Sequence, residues 1–342
     1  MTALSFTFKR TQEVAAAYCI FGKLPRRADF IRINATHPAA AQLDQLLADS
    51  ISLLSADADA IARYRIMPGS CFVLRSRDRA WLSLGVIQPS HDESGRNFPL
   101  VAATQLPATL ALPPLAVLLL AGELYFSGLK EQLTSAIDNS VEMLACRQFL
   151  EAQSLFGAAS SDDVALAEQL LGHHLATTAA QQLNSLLARL QGQSLEATLL
   201  AFIFHSQMQR RFHDSLCAQT YLLPLPAADG EDVLAAATWL SLYQAAAGTQ
   251  DADDAQCLLI NRPEGRFLAL QPRSPDAHIV AQCWGEPLNA RYVVDIADEQ
   301  APWRRHQSYA EASYILGRRL NDPGLNLAQL RDLVASLARS IA

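Results

Sequence analysis

Hydrophobic and polar positions along the first third of the chain follow strand and helix periods that predict a small antiparallel sheet. Residues 14–22 and 30–33 are apolar runs of strand length on either side of a charged connection. After Pro38, Leu43 and Leu47 recur at helical spacing and predict a helix. Three further apolar runs predict consecutive antiparallel strands, because parallel neighbours would need longer crossovers than the short turns between them. These runs cover residues 71–75, 80–88 and 97–103.

The rest of the chain changes to helical spacing and then returns to strands. Apolar residues recur every three or four positions from about 115 to 215, and an amphipathic helix is predicted over 326–342. The leucine face of that last helix either docks on a partner or completes the core of its own domain. A polar loop is predicted over 248–254, and further strands follow it. These strands cover residues 257–261, 266–270 and 278–284.

The fold class that these patterns predict is α/β (α+β). It has an antiparallel sheet flanked by helices, a helical middle region and a second small sheet, which is either separate or joined to the first. The predicted divisions are 1–125 for an N-terminal α/β domain, 126–300 for the helical region leading into the second sheet, and 301–342 for a C-terminal helical segment.

The charge balance argues against nucleic acid as a partner. The 342 residues carry 27 Lys and Arg against 34 Asp and Glu, a formal net charge of −7. Such a chain repels phosphate backbones at long range. The arginine pairs at 210–211, 304–305 and 318–319 are too short to form a basic stripe and are interpreted as solvated helix surface.

Cysteine spacing and hydropathy predict a cytoplasmic protein without membrane insertion. The six cysteines contain no C-x-x-C pair, which fits neither a disulfide framework nor a zinc site and indicates a reducing compartment. Residues 97–122 carry no charge, but their four prolines would break a spanning helix. The N-terminal residues show no apolar segment typical of a secretory signal.

Residues 89–100, PSHDESGRNFPL, place Ser, His and Asp side by side and raise the question of catalysis. A catalytic relay needs the His ring between nucleophile and carboxylate, each about 2.6–3.2 Å away, and adjacent residues of a turn point in divergent directions. Ser90 and Glu93 have the spacing of a capping box, and Gly95 can take the left-handed backbone that ends a helical turn. The spacing therefore favours a capped turn over a nucleophile site.

A second charged connection, residues 21–30, reads FGKLPRRADF. Lys23 lacks the glycine-rich context of a phosphate-binding loop. Gly22 is instead expected to allow a sharp exit from the first strand.

Together, these two segments resemble the TagF (also ImpM) family of proteins associated with bacterial type VI secretion. One signature of that family is similar to F-G-K-L-P-x-x-G-D-F, which residues 21–30 match except that Ala28 replaces the usual Gly. The other is similar to G-V-x-x-P-S-x-D-x-x-G-R-x-F-P-L, which residues 85–100 match in register. The resemblance covers about residues 17–105. If position 28 requires a positive φ, Ala28 would strain the loop by about 1 kcal/mol or more.

The resemblance implies a cytoplasmic accessory protein that is not an enzyme and needs no cofactor or metal. TagF-like proteins are known as post-translational repressors of type VI secretion. They are thought to bind the forkhead-associated (Fha) scaffold protein of the apparatus, in opposition to a threonine-phosphorylation pathway. Some relatives carry a fused phosphatase domain, but no phosphatase-like acidic metal motif stands in this sequence.

The acids and bases of the two segments suggest an ion-pair cluster. We hypothesise that Asp29, Asp92 and Arg96 meet at one end of the sheet, with Arg96 or Lys23 bridging the carboxylates and locking the two loops. This cluster either only holds the fold or also presents the partner-binding face. The candidate residues are Lys23, Arg27, Asp29, Ser90, Asp92, Gly95 and Arg96.

Two further functions remain open from the sequence. One is a hydrolase that uses Ser90 or Asp92 with a distant histidine such as His278. The other is a structural component of the secretion apparatus. The sequence leaves the oligomeric state and the sign of regulation undetermined.

Overall fold

A computed structural model gives the fold of the protein. It describes residues 17–109, 112–139, 143–152, 161–190, 192–212, 219–228, 230–248, 254–273 and 276–341. Several sequence predictions lie outside these residues in part or in whole. They include the start of the first strand at 14–16, parts of the helical run over 115–215, the thiol of Cys217, loop residues 249–253 and the last residue of the helix predicted over 326–342.

In the residues that the structure describes, eight strands form one antiparallel sheet in the order β2-β1-β5-β4-β3-β7-β8-β6. The α/β class and the antiparallel sheet predicted from the sequence are therefore confirmed. The strands are β1 Ala17–Gly22, β2 Ile31–Ile33, β3 Ser70–Arg75, β4 Trp81–Gln88, β5 Leu100–Pro107, β6 Tyr221–Pro224, β7 Gln256–Arg262 and β8 Gly265–Gln271.

The strands β3, β4 and β5 form the predicted meander, and β7 and β8 form the predicted hairpin. The hairpin does not make a second small sheet, because β7 pairs with β3, with Cys71 opposite Leu259 and Val73 opposite Cys257. Of the two arrangements that the sequence left open, the joined one is correct. Pairing with β7 satisfies backbone groups that would otherwise be unpaired along the edge of β3.

The strand predicted over 278–284 is wrong, because this run forms a helix, Ala277–Cys283. Asp276 caps the helix, and its carboxylate accepts a hydrogen bond from the backbone N–H of Ile279 at 2.9 Å. A short and mostly buried apolar run has no period that separates helix from strand. The cap was the sequence signal that favoured the helix.

Helices cover both faces of the sheet. In the described part of the chain they are α1 Pro38–Leu54, α2 Ala58–Ile66, α3 Leu115–Ala121, α4 Glu123–Asp138, α5 Met143–Ala152, α6 Ser161–Thr177, α7 Gln182–Leu187, α8 Leu195–Arg211, α9 Glu231–Ala247, α10 Ala277–Cys283, α11 Tyr309–Leu320 and α12 Leu327–Ile341, with a 3₁₀ turn at Pro302–Arg305.

The core lies in two layers, one on each face of the sheet. Helices α1, α2 and α10 cover one face through residues such as Leu47 and Tyr64. Helices α3, α4, α8, α9 and α12 cover the other, with Phe202 and Trp239 fully buried. Because both faces are buried, the central strands read as continuous apolar runs instead of alternating ones. The apolar face of α12, including Leu330, lies in this second layer and completes the core.

Two further observations bear on the sequence predictions. None of the described helices has the length and apolar character needed to span a bilayer. Five of the six cysteines lie in the described ranges, and each of them is buried and free. They are Cys19, Cys71, Cys146, Cys257 and Cys283.

Candidate functional site

The two motif segments meet at one end of the sheet. Residues 23–30 connect β1 to β2, and residues 89–99 connect β4 to β5. Because β5 pairs with both β1 and β4, the end of β1 and the start of β5 bring the two connections side by side. These two connections, residues 23–30 and 89–99, are called the rim below.

Gly22 permits the close approach of the two connections. Its φ is +133°, a backbone conformation that favours glycine. A Cβ on Gly22 would lie 2.0 Å from the carbonyl oxygen of Pro99 and 2.8 Å from the Cα of Leu100. The expected sharp exit from β1 is thus accompanied by a backbone-to-backbone contact that leaves no room for a side chain.

Asp92 lies at the centre of the rim and is 0% exposed. Its Oδ2 accepts from the guanidinium Nε of Arg96 at 2.7 Å and lies 3.0 Å from the ammonium of Lys23. Its Oδ1 accepts from the backbone N–H of Ser94 at 3.1 Å and of Arg96 at 2.9 Å, and from the Ser94 hydroxyl at 3.0 Å. Both oxygens of a buried carboxylate are therefore compensated by charge and hydrogen bonds.

This environment keeps Asp92 ionised. Burial acts to raise the pKa of its carboxyl, but the backbone N–H of Arg96 and the side chains of Lys23, Ser94 and Arg96 outweigh it and hold the pKa well below its usual range. A group that stays ionised throughout the physiological range is poorly suited to exchange a proton as a general acid or base.

Ser90 is also held by two hydrogen bonds, one to the first connection and one to α2. Its hydroxyl donates to the carbonyl oxygen of Lys23 at 2.7 Å, and its backbone N–H donates to the hydroxyl of Tyr64 at 3.3 Å. The prediction that Ser90 caps the turn is therefore wrong, because Asp92 accepts from the turn's backbone N–H groups. Gly95, with φ +80°, has the left-handed backbone that the sequence predicted.

Among the described residues, no catalytic relay is assembled around Ser90. The backbone of His91 pairs with that of Asn97 in an isolated β-bridge, and the ring of His278 stacks on Tyr292 with centroids 4.8 Å apart. Within the residues that the structure describes, no histidine donates to or accepts from Ser90. The same residues contain no group of three or more His, Cys, Asp or Glu side chains placed to hold a metal ion.

Asp29 does not join the ion pairs of Asp92, so this part of the cluster hypothesis is wrong. It is exposed, and its carboxylate makes no hydrogen bond or ion pair with any described residue. The hypothesis gave the bridging role to either Lys23 or Arg96. In the structure, both cations contact the carboxylate of Asp92. The single charge on Asp92 already attracts both cations, so a second carboxylate is not needed to bring them together.

Backbone contacts also join the two connections. The carbonyl of Arg27 accepts from the backbone N–H of Glu93 at 3.2 Å, and the carbonyl of Ala28 accepts from Nη2 of Arg96 at 3.4 Å. Among the described non-glycine residues, positive φ values occur only at Asn34 and Arg79. Ala28 is therefore not strained in the way that a required glycine would imply.

Helix α2, which the sequence patterns did not predict, fastens the rim from a third side. Arg65 donates to the side-chain oxygen of Asn97 at 2.7 Å and to the carbonyl of Gly95 at 3.0 Å. Asp57, whose carboxylate accepts from the N–H of Asp59, begins this helix, and Ala60 and Tyr64 are its buried residues. Capping at Asp57 and the four-residue step between Ala60 and Tyr64 were signals that could have found it.

An aromatic pair adds an apolar contact between the connections. The rings of Phe30 and Phe98 meet edge to face with centroids 5.0 Å apart. These residues end the first motif and precede the Pro-Leu of the second. The two motifs are therefore joined by charge, backbone hydrogen bonds and ring packing at once.

A cavity of about 390 Å³ opens near the same end of the sheet. It is bordered by Gln88, the last residue of β4, and by Lys130, Asp232 and Arg266. Asp232 and Arg266 form an ion pair at 3.1 Å within it. Ser90 and Asp92 do not line this cavity.

Comparison with known families agrees with the motif resemblance. Residues 19–153 match the family model of the TagF N-terminal domain, described as type VI secretion system-associated. Both rim segments lie inside the matched range. The crystal structure of PA0076 from Pseudomonas aeruginosa PAO1 is 23% identical, with a TM-score of 0.32, over 45% of this chain and 78% of that chain. No curated protein matches the chain.

Proposed function

Residues 19–153 belong to the TagF N-terminal domain family, which is associated with type VI secretion, and from this premise we propose that the chain is a non-catalytic accessory protein of a type VI secretion system. It acts by protein–protein contact in the cytoplasm. Its partner is the forkhead-associated scaffold protein of the apparatus, and its effect is post-translational repression of secretion. The family resemblance of residues 21–30 and 85–100 supports this partner and this sign of regulation.

The observation that supports a binding role is the locked rim. Asp92 is fully buried and its oxygens accept from or pair with Lys23, Ser94 and Arg96, so the two connections hold one shape. A surface fixed before binding loses little conformational entropy when a partner docks on it. The same bonds occupy the carboxylate of Asp92, which a hydrolase would have to keep free for catalysis.

The geometry weighs against the hydrolase alternative. A serine nucleophile needs a base that removes its proton, but the hydroxyl of Ser90 donates to the carbonyl of Lys23. Asp92, in turn, is buried and paired with Lys23 and Arg96. Turnover of ester or phosphoester substrates by the purified chain that disappears in Ser90→Ala would contradict the proposal.

Direct binding and a secretion assay test the proposal together. The purified chain is expected to form a complex with the purified forkhead-associated scaffold protein from the same genome, measured by titration calorimetry. Overproduction in the host is expected to lower the amount of secreted effector, and deletion of the gene to raise it. Co-purification with the assembled apparatus and loss of secretion on deletion would instead identify a structural component.

A further inference from the structure

The rim and the adjoining end of α2 concentrate positive charge on a protein that is acidic as a whole. The chain carries a net charge of −7, yet cations outnumber acids when the rim is taken together with Arg65 of α2. The cations are Lys23, Arg26, Arg27, Arg65 and Arg96, and the acids are Asp29, Asp92 and Glu93.

Contacts between neighbouring backbone and side-chain groups make these residues one continuous surface. The carbonyl of Arg27 accepts from the N–H of Glu93, Nη2 of Arg96 reaches the carbonyl of Ala28, and Nη2 of Arg65 reaches the carbonyl of Gly95. The guanidinium groups therefore lie around the two connections and are held on the locked loops.

Several of these charges are available to a partner. Arg26 and Arg27 are exposed, and their guanidinium groups make no hydrogen bond or ion pair with any described residue. Arg65 is exposed, and among the described residues it donates to neutral oxygens, those of Asn97 and Gly95. Lys23 and Arg96 share the single carboxylate of Asp92, so one positive charge remains in excess there.

Ile66 gives this surface an apolar contact. Its side chain is 83% exposed although it follows Arg65 at the end of α2, which is fastened to the rim. An exposed aliphatic side chain next to an arginine is a suitable anchor for a polar protein interface, where arginine is enriched and lysine depleted.

We propose that this basic surface, formed by Arg26, Arg27, Arg65, Ile66 and Arg96, is the docking face for an acidic protein surface rich in carboxylates. The guanidinium fork binds carboxylates in a bidentate geometry, and charge complementarity raises the association rate. Because the rest of the protein is acidic, an acidic partner is repelled elsewhere and is oriented toward the rim. This inference rests on the proposed function, since it assigns the face that the scaffold protein contacts.

Charge reversal at Arg26 and Arg27 tests the assignment, and the chain supplies a matched control. In Arg26→Glu/Arg27→Glu both changed residues are exposed, so the fold should remain. Arg318→Glu/Arg319→Glu makes the same change at an exposed arginine pair on α11. Binding is measured to the purified scaffold protein and to a poly-glutamate peptide, each between about 50 and 300 mM NaCl.

The rim variant, Arg26→Glu/Arg27→Glu, is expected to associate with both probes at least about tenfold more slowly than the wild type at low salt. The association rate of the α11 variant should stay within about twofold of the wild type. The neutral variant Arg26→Gln/Arg27→Gln should slow association by an intermediate factor. Such a graded loss would exclude misfolding caused by the introduced acids as the reason for the slower binding. Wild-type binding should weaken as salt rises.

The outcomes separate the docking face from the proposed function. Scaffold binding that is unchanged in the rim variant would overturn the docking face and leave the proposed function in place. No scaffold binding by the wild type, with poly-glutamate binding that depends on Arg26 and Arg27, would contradict the proposed function and support the docking face. Tighter binding to single-stranded DNA than to poly-glutamate would also overturn the assignment to an acidic protein.

Discussion

Asp92 is the residue on which the shape of the rim depends, because its two oxygens accept from both motif segments. Lys23 belongs to the first connection, while Ser94 and Arg96 belong to the second. Removing the charge would leave two cations facing each other beside buried backbone donors. A buried ion pair is much more costly to break on one side than to replace as a whole.

The first prediction concerns Asp92→Asn and its dependence on pH. The folded state lowers the pKa of Asp92, so its contribution to stability is fully present above the unfolded pKa of about 3.9 and is lost as the pH falls below that value. Thermal unfolding should show a Tm several degrees below the wild type from pH 5 to 8. The difference should shrink below about pH 4, where the carboxyl of the unfolded wild type binds a proton.

Asp29→Asn is the matched control, because Asp29 is an acid of the same rim that is exposed and makes no ion pair with a described residue. Its Tm should remain within experimental error of the wild type across the same pH range. Equal losses of Tm in the two variants would show that the rim responds to its overall charge and not to the buried carboxylate.

The second prediction separates a steric requirement for glycine from a conformational one. Gly22→Ala should lower the free energy of unfolding by about 3 kcal/mol or more, because it adds a clash with the Pro99 carbonyl to an unfavourable φ. Gly95→Ala has no atom within 4 Å of the new Cβ and should cost only about 1–2 kcal/mol. Urea unfolding at neutral pH measures both; similar losses would argue against the close approach of the two connections.

At the scale of elements, the sequence patterns predicted the strands and helices whose buried residues form a continuous or strictly periodic run. The runs of β3, β4 and β5 are long, apolar and separated by short turns, which defines a meander. Residues 278–284 were predicted as a strand because a short buried helix has the same apolar composition. Helix α2 was missed because seven of its nine residues are at least partly exposed, so its apolar period is weak.

The third prediction tests how α2 fastens the rim. The hydroxyl of Tyr64 accepts from the buried backbone N–H of Ser90, so Tyr64→Phe leaves that donor without an acceptor. The free energy of unfolding should fall by about 1–3 kcal/mol in urea titrations. Tyr314→Phe, at a side chain that is 69% exposed, is the control and should change it by less than about 0.5 kcal/mol. A neutral result at Tyr64 would mean that α2 holds the rim through Arg65 alone.

At the scale of the molecule, the pairing of strands that are far apart in the chain decides whether there is one sheet or two. Local sequence patterns could not decide this. Local patterns located β3 and β7, which are separated by more than 180 residues, but carried no information on whether their edges meet. The two strands do pair, so one sheet contains strands from both sides of the predicted boundary at residue 125. The predicted division into 1–125, 126–300 and 301–342 stays a prediction about folding units, and it can be tested at this seam.

The cysteines on either side of the seam provide the last test. Cys71 lies on β3 and Cys257 on β7, and burial raises the pKa of the first to about 11 and of the second to about 12, so we expect neither thiol to react in the folded protein. If the sheet unfolds as one unit, both thiols should become accessible to a maleimide at the same urea concentration, read by mass spectrometry of the labelled peptides. Because opening the β3–β7 pairing would expose the unpaired edges of both strands, we expect coincident midpoints. A lower midpoint for Cys257 than for Cys71 would mean that residues 126–300 unfold first and that the pairing holds two separate folding units together.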